Sequence, residues 1–305
     1  MTQTALPDFV VVGAPRCGTT SLHYYLSQHP GICTATVKEP SFFLFEDTGG
    51  GPRPLVDDER IVTKSVRDPA RYRALFDDAA PGQLTGDVSV LYLYAQRSPH
   101  LIRAANPDAR VAMVLRHPVE RSYSHFLYTY TGPAEQVRTA FREACEAERG
   151  LPETPFTSGT HLLRLSDYGP QVDRYLDVFP REQVLVSLYD DLEAHPADYL
   201  ATFCSFVGAD PAFGFDVGTR YNGSSVARRS GRAAAQAVGR VAPAVKSALP
   251  ASAAAQLGRL RARLRRKGAP PPLGAQFRAE MAEYFGPSIA RVEELTGRDL
   301  AHWRA

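Results

Sequence analysis

The 305-residue sequence predicts an α/β fold, with a P-loop-like central parallel sheet flanked by helices in a single domain. Three observations point there. Short β-branched runs alternate with stretches of helical spacing, as crossover connections between parallel strands require. The first such run ends in a glycine-bounded loop that opens a helix, the layout of a phosphate-binding loop. The composition is that of an ordinary globular chain, 44% hydrophobic and 22% charged with 23 Gly and 24 Pro. That balance excludes wholesale disorder, collagen and coiled coil.

Each element has its own signal. Asp8 to Val12 is a β-branched run ending at Gly13, and Thr20 to Gln28 reads as a helix stopped by Pro30. Asp47 to Asp68, rich in Gly, Pro and charge, reads as a surface loop or a flap. Arg110 to Leu115 is a second buried strand, followed by Pro118 and a helix from Val119 to Tyr130. Val184 to Leu188 is a third strand and Pro196 to Val207 a further helix. Ala275 to Leu295 reads as one amphipathic helix, with Phe277, Met281, Phe285 and Ile289 near helical spacing. No repeat or clean boundary divides the chain, so residues 1–305 read as one domain in which 275–305 is a C-terminal helix and tail.

Charge is unevenly spread. The net charge is +2, yet residues 228–267 hold eleven Arg or Lys and no Asp or Glu. The remainder carries 24 basic against 33 acidic residues, a balance of −9. The basic stretch is Ala-rich and broken by Pro243 and Pro250, which suits a solvated insertion, a lid over an anionic ligand, or a peripheral membrane-surface patch. No aromatic residues interleave its charges, which argues against a stacking platform for nucleic acid. No apolar run approaches the roughly 18 residues of a membrane span. The start MTQTALPDF lacks the basic and apolar regions of a signal peptide. Cys17, Cys33, Cys145 and Cys204 are too scattered for a disulfide framework or a CxxC metal site. A cytoplasmic protein without a metal is the expectation, and the scarcity of Lys beside Arg suggests a GC-rich bacterial genome.

The sharpest motif runs Phe9-Val-Val-Val-Gly-Ala-Pro-Arg-Cys-Gly-Thr-Thr-Ser-Leu22. A strand, a loop bounded by Gly13 and Gly18, and a helix start aim backbone N–H groups at one anion. Thr19 stands where the P-loop pattern GxxxxGK[ST] has Lys, and a cation appears instead at Arg16. The strand Val111 to Leu115 is followed by Arg116, where a nucleoside triphosphatase would place an Asp for Mg²⁺. An Arg there suits a second phosphate group. A nucleotide bound without Mg²⁺ fits both features.

These segments resemble the sulfotransferases that use 3′-phosphoadenosine-5′-phosphosulfate (PAPS), nearest their carbohydrate-type branch. GAPRCGTTSL resembles the family's 5′-phosphosulfate loop, which implies cofactor contacts from Gly13, Ala14, Pro15, Arg16, Cys17, Gly18, Thr19, Thr20 and Ser21. RHPVERSYSHF resembles the 3′-phosphate element and implies the same for Arg116 and Ser124. Lys38-Glu-Pro-Ser-Phe-Phe43 resembles the KExxFF segment whose Glu is the base. Weaker matches follow in family order: Gly86 to Tyr92, Leu188 to Leu192, and Leu295 to Trp303. The stretch after Asn222 resembles a late cofactor-side loop, which implies that at least one of Arg228, Arg229 and Arg232 covers the nucleotide.

The resemblance implies transfer of a sulfuryl group to an acceptor hydroxyl, releasing 3′,5′-ADP. Glu39 would be the general base and Arg16 would stabilise the leaving phosphate. Lys38 would reach the sulfuryl oxygens or face solvent. Asp87 is a secondary candidate for orienting the acceptor, and His23, His117 and His125 are understudies to Glu39. A carbohydrate, lipid or secondary-metabolite hydroxyl is the expected partner. Three departures stand out: Arg16 replaces the usual Lys, Ser41 replaces a His, and Asp87-Val-Ser-Val90 replaces Glu-Lys-Ser-Pro. The last two argue against a heparan-like polyanion as acceptor. Two alternatives remain open at this stage, a P-loop kinase and a non-catalytic protein that binds anions or membrane.

Overall fold

Phe9-Val-Val-Val-Gly13 is buried at every position, as a strand covered on both faces must be. It forms β1 (Phe9–Gly13), the middle of a wholly parallel sheet in the computed structural model. The other strands are β2 (Ile32–Thr34), β3 (Leu84–Val88), β4 (Arg110–Leu115) and β5 (Val184–Leu188), in the order β2-β3-β1-β4-β5. The structure describes residues 7–45, 59–130, 132–151, 161–218 and 271–304. The α/β class expected from the sequence is the one observed.

Register places the chemistry at one edge. Val10 pairs with Asp87 on β3 and with Val111 on β4. The chain fills β2 and β3 on one side of β1, then crosses to β4 on the other. A crevice beyond the carboxyl ends of the strands forms where such a sheet reverses direction. The loops after β1, β3 and β4 therefore share one rim.

Eleven helices flank the sheet among the described residues: α1 (Thr19–Leu26), α2 (Glu59–Lys64), α3 (Pro69–Ala74), α4 (Ser98–Ala105), α5 (Pro118–Thr129), α6 (Val137–Arg149), α7 (Tyr168–Leu176), α8 (Tyr189–Ala194), α9 (Pro196–Val207), α10 (Ala275–Tyr284) and α11 (Gly286–Thr296). Pro118 and Pro196 each occupy the first helical position, where the missing N–H costs no bond. None of the described helices is long and apolar enough to cross a membrane.

The structure corrects three expectations. β2 and β3 carry no strong apolar run, so the sheet has two strands more than the apolar runs predict. The single C-terminal helix is two, because Pro287 cannot donate the bond that would carry α10 onward. Phe277, Met281, Phe285 and Ile289 nevertheless share one buried face. The segment from Asp47 to Asp68 is partly helical, since α2 lies within it; residues 46–58 lie outside the described residues.

The C-terminal tail docks onto α8. Trp303 is fully buried and its indole N–H donates to Asp190 at 3.0 Å, while Arg298 forks onto Asp191 at 2.9 and 3.0 Å. Two of the weaker sequence matches thus meet in space.

Gly86 shows how tightly β3 lies against β1: a methyl group there would overlap the Phe9 ring, itself 1% exposed. Gly86→Ala should lower unfolding free energy by about 1–3 kcal/mol through overpacking. Urea denaturation checks this, and an unchanged midpoint would mean the Phe9 ring yields freely.

Candidate functional site

The loop after β1 wraps the start of α1. Ala14 N–H donates to Val114 O on β4 at 2.9 Å, which fixes where the loop leaves the sheet. Ala14, Pro15 and Cys17 are buried, as are Gly13 and Thr19, whereas Thr20 and Ser21 are half-buried. Gly18, at φ 77°, is the N-cap of α1; no side chain caps this end and no acid occupies the first turn. The first N–H groups of a helix need outside partners, and an anion is one such partner. A Cβ at Gly18 would come within 2.8 Å of the Tyr189 ring, so the close approach demands glycine as firmly as the φ angle does.

Arg16 sits in this loop at φ 71°. Its Nε donates to Ser124 Oγ on α5 at 3.2 Å, and its guanidinium lies over the Tyr128 ring at 4.9 Å. Arg116, at the end of β4, donates from Nη1 to Arg16 O at 3.4 Å and lies 4.9 Å over the Tyr189 ring. The two segments matched to the 5′ and 3′ ends of the nucleotide are thus joined directly, with Arg16, Ser124 and Arg116 in one cluster.

A third cation, which the sequence reading passed over, lies behind them. Arg121 on α5 is fully buried. It donates to Ser166 Oγ, to Leu162 O at 2.5 Å, and to His125 Nδ1 at 3.1 Å. Burial pushes the pKa of both Arg16 and Arg121 down, and Arg116 adds repulsion to each. The carboxylate nearest Arg116, Glu120 at 4.0 Å, is shared with Arg278. Among the described residues neither Arg16 nor Arg121 forms an ion pair, and Glu148 acts on Arg121 only through its charge. The signal in the sequence was an Arg in mid-helix between Arg116 and Ser124, a position usually read as solvated.

Lys38 and Glu39 form a second cluster. Lys38 Nζ lies 2.5 Å from Glu39 Oε1, and both side chains are partly exposed. Glu39 and Ser41 have φ angles of 59° and 57°, each costing about 1–2 kcal/mol for a side chain bearing a Cβ. Ser41 is buried and its hydroxyl donates to Glu39 O at 3.2 Å, so it faces its own segment and not a substrate. Asp87 is likewise closed off. Its carboxylate is fully buried and accepts from Tyr72, Ser89 and Tyr92, so it does not orient an acceptor directly. Burial pushes its pKa up to about 6 against the downward pull of those hydroxyls.

The histidines are placed for other work. His117 Nδ1 accepts from Val119 N at 3.2 Å and caps α5. Burial pushes it down to about 4. His125, held by Arg121, is pushed well below the usual imidazole range by burial and then by that cation. His23 on α1 is pushed down to about 4 by burial and by Lys38. Arg228 and Arg229, with the basic stretch 228–267, lie outside the described residues. Among the described residues no group of His, Cys, Asp and Glu is arranged to hold a metal ion.

A parallel sheet with a glycine-bounded loop feeding an uncapped helix defines a P-loop-like α/β protein. Residues 7–212 match the model of the Sulfotransferase family, and the chain belongs to that family. A solved structure similar to it is the sulfotransferase from Alicyclobacillus acidocaldarius, 28% identical with a TM-score of 0.69, covering 98% of this chain and 99% of that one. Among curated proteins, it is similar to heparan sulfate glucosamine 3-O-sulfotransferase 6 of Homo sapiens, 26% identical over 205 residues, 66% of this chain and 52% of that protein. It is also similar to the human bifunctional heparan sulfate N-deacetylase/N-sulfotransferase 2, 23% identical over 223 residues, 71% of this chain and 24% of that protein. The chain thus spans between about a quarter and about half the length of these curated relatives.

Cys17 tests the description of the loop. A helix N-terminus can activate a thiol, but here burial pushes the pKa up to about 11. At pH 8 about one molecule in a thousand would carry the thiolate. Iodoacetamide should leave Cys17 unmodified in the native protein while the half-buried Cys33 reacts, as read by peptide mass mapping. Rapid labelling of Cys17 would mean the loop opens to solvent.

Proposed function

We propose that the protein is a PAPS-dependent sulfotransferase that moves a sulfuryl group to a hydroxyl of a carbohydrate, lipid or secondary-metabolite acceptor. The observation that carries this reading is the coupled Arg16–Ser124–Arg116 cluster at the uncapped start of α1. Two cations and a helix N-terminus, with only the shared Glu120 ion-paired to them among the described residues, suit a ligand bearing two separate anionic groups. A nucleotide phosphorylated at both 3′ and 5′ positions is such a ligand.

The loop from Gly13 to Ser21 would hold the 5′-phosphosulfate, and Arg116 with Ser124 the 3′-phosphate. PAPS, when bound, supplies an activated sulfuryl group on a phosphate leaving group. Arg16 keeps its charge beside that leaving oxygen throughout, in a desolvated setting where a fixed cation is worth more than in water. Glu39 takes the proton from the acceptor hydroxyl. Lys38 holds the carboxylate at rest and gives way when the hydroxyl bonds to it. The 3-O-sulfotransferase relative supports a sugar hydroxyl as acceptor, the N-sulfotransferase relative a sugar amine, and the Ser41 hydroxyl is spent on Glu39 O.

The direct test is incubation with ³⁵S-labelled PAPS and a panel of octyl β-glucoside, an N-acetylglucosamine oligosaccharide, phosphatidylinositol vesicles and 4-nitrophenol. Label on one acceptor, with 3′,5′-ADP released in step, is expected. Tight 3′,5′-ADP binding with label on none would favour a binding protein instead.

Arg116→Ala should weaken 3′,5′-ADP far more than 5′-AMP. The difference should be roughly tenfold to a hundredfold for one charge-assisted contact. Calorimetric titration reads this, and equal losses for both nucleotides would displace Arg116 from the 3′-phosphate.

Glu39→Gln should lower turnover by about 10²–10⁴-fold, the usual contribution of a general base, with 3′,5′-ADP affinity near wild type. Arg16→Ala should differ by weakening nucleotide binding and turnover together. Near-normal turnover in Glu39→Gln, with chemistry rate-limiting, would move the base elsewhere.

A further inference from the structure

Asp87 is a fully buried carboxylate linked through hydroxyls to the Glu39 segment, and the geometry gives it a purpose. Its Oδ1 accepts from Ser89 Oγ at 2.6 Å; its Oδ2 accepts from Tyr92 at 2.9 Å and from Tyr72 at 2.8 Å. Two of these hydroxyls have a second partner. Ser41 N–H donates to Ser89 Oγ at 3.1 Å, and Phe43 N–H donates to the Tyr92 hydroxyl at 3.2 Å. Among the described residues the Tyr72 hydroxyl bonds to Asp87 alone; its ring stacks on Phe42 at 4.3 Å.

The direction of donation is fixed by chemistry. A carboxylate only accepts, and a hydroxyl has one hydrogen. Ser89 and Tyr92 must therefore spend their hydrogens on Asp87, which leaves their lone pairs facing the Ser41 and Phe43 amides. Both chains run from backbone amide to hydroxyl to carboxylate, and both end on the same side chain. They grip the segment that holds Glu39 and Ser41 at positive φ. Left-handed backbone at residues with a Cβ persists only where the surroundings over-determine it. Other ties help: Val66 N–H donates to Pro40 O at 2.8 Å, and Ser98 Oγ to Phe43 O at 2.7 Å. Those hold carbonyls; among the described residues only the Asp87 chains hold the amides of Ser41 and Phe43.

We infer that Asp87 is a positioning residue, which through Ser89 and Tyr92 fixes the backbone that presents Glu39 to the acceptor hydroxyl. The inference rests on the reading of Glu39 as the base. An amide at position 87 would add two hydrogens to a cluster already supplied with donors. Its NH₂ would compete with Ser41 or Phe43 for a hydroxyl lone pair, and the segment would loosen.

Two measurements test this. The first, hydrogen–deuterium exchange followed by mass spectrometry, needs no acceptor. Asp87→Asn and Ser89→Ala should speed exchange across residues 39–45 while residues 13–21 keep wild-type protection. Tyr72→Phe, which removes a donor to Asp87 but lies on neither chain, should leave 39–45 unchanged. The second measurement is turnover with the panel member that accepts label from PAPS. Asp87→Asn should cost about a hundredfold, the scale of an ångström's misplacement, and Ser89→Ala about tenfold, with 3′,5′-ADP affinity held. In a Glu39→Gln background the Asp87→Asn change should cost nothing further, because it acts through the same group.

Unaltered exchange at 39–45 in Ser89→Ala overturns the proposal, even if Asp87→Asn fails to fold. So does an equal loss of turnover in Tyr72→Phe, which would indicate a general packing role. Should Glu39→Gln itself keep its turnover, the base assignment fails, and the positioning role toward Glu39 fails with it. If Glu39→Gln is slow but Ser89→Ala and Asp87→Asn are not, only the positioning role is lost.

Discussion

Positive charge held out of water at the start of one short helix is the constraint around which the rest of the structure is arranged. Arg16 and Arg116 share a backbone contact, and Arg121 lies fully buried behind them. Desolvating a guanidinium is costly, and crowding three of them adds repulsion at short range. The fold tolerates this because each group donates to fixed oxygen or nitrogen acceptors, and because an incoming anion would relieve the rest. Under the proposed function a site so charged would be preorganised: little reorientation would remain when charge develops on a leaving phosphate.

Keeping those cations in place takes much of the chain. Tyr168 donates to Arg116 O at 2.8 Å, while the face of Tyr189 lies under the Arg116 guanidinium and against Gly18. Tyr189 opens α8, whose next residue, Asp190, accepts from Trp303 and His302 of the C-terminal tail. The tail is therefore a brace for a distant site. Arg121 is steadied in the same way. Glu148 accepts from the amides of Leu162, Leu163 and Arg164 at 2.6, 2.8 and 3.0 Å, and so fixes the turn whose Leu162 carbonyl and Ser166 hydroxyl receive Arg121.

What could be read from the sequence followed its strongest local signals. β1, β4 and β5 are predominantly apolar runs, broken only by Arg110 at the start of β4 and Ser187 within β5, and the loop from Gly13 to Gly18 declares itself by glycine spacing. Arg116 was legible because a cation at a strand end is unusual. β3 was not: Leu84-Thr-Gly-Asp-Val88 interrupts its apolar pattern with a glycine required by the Phe9 ring and an aspartate required by three hydroxyls. Burial of Asp87 depends on Tyr72, fifteen residues earlier on another element, and no local pattern announces such a partnership. Arg121 escaped for a related reason, since its acceptors lie across a gap of 41 and 45 residues. The break at Pro287 was legible, but the continuous apolar face of Phe277 to Ile289 masked it; a core can run unbroken across two helices.

Backbone strain marks the same two segments. Among the described residues, the only non-glycine residues at positive φ are Arg16, Glu39 and Ser41. All three lie in the two segments that bear the candidate chemistry, one on the phosphate side and one on the side of the base. Such conformations survive only under external support. Arg16 draws its support from Ser124 on α5, the helix that follows β4. Glu39 and Ser41 draw theirs from Asp87 on β3. β4 and β3 are the two neighbours of β1, so a single parallel sheet carries both supports to one rim. The topology therefore does more than create a crevice: by placing β1 between these two strands, it fixes the relative positions of Arg16 and Glu39, the groups proposed to meet the leaving phosphate and the acceptor's proton. In-line transfer needs that distance held constant while neither group need touch the other.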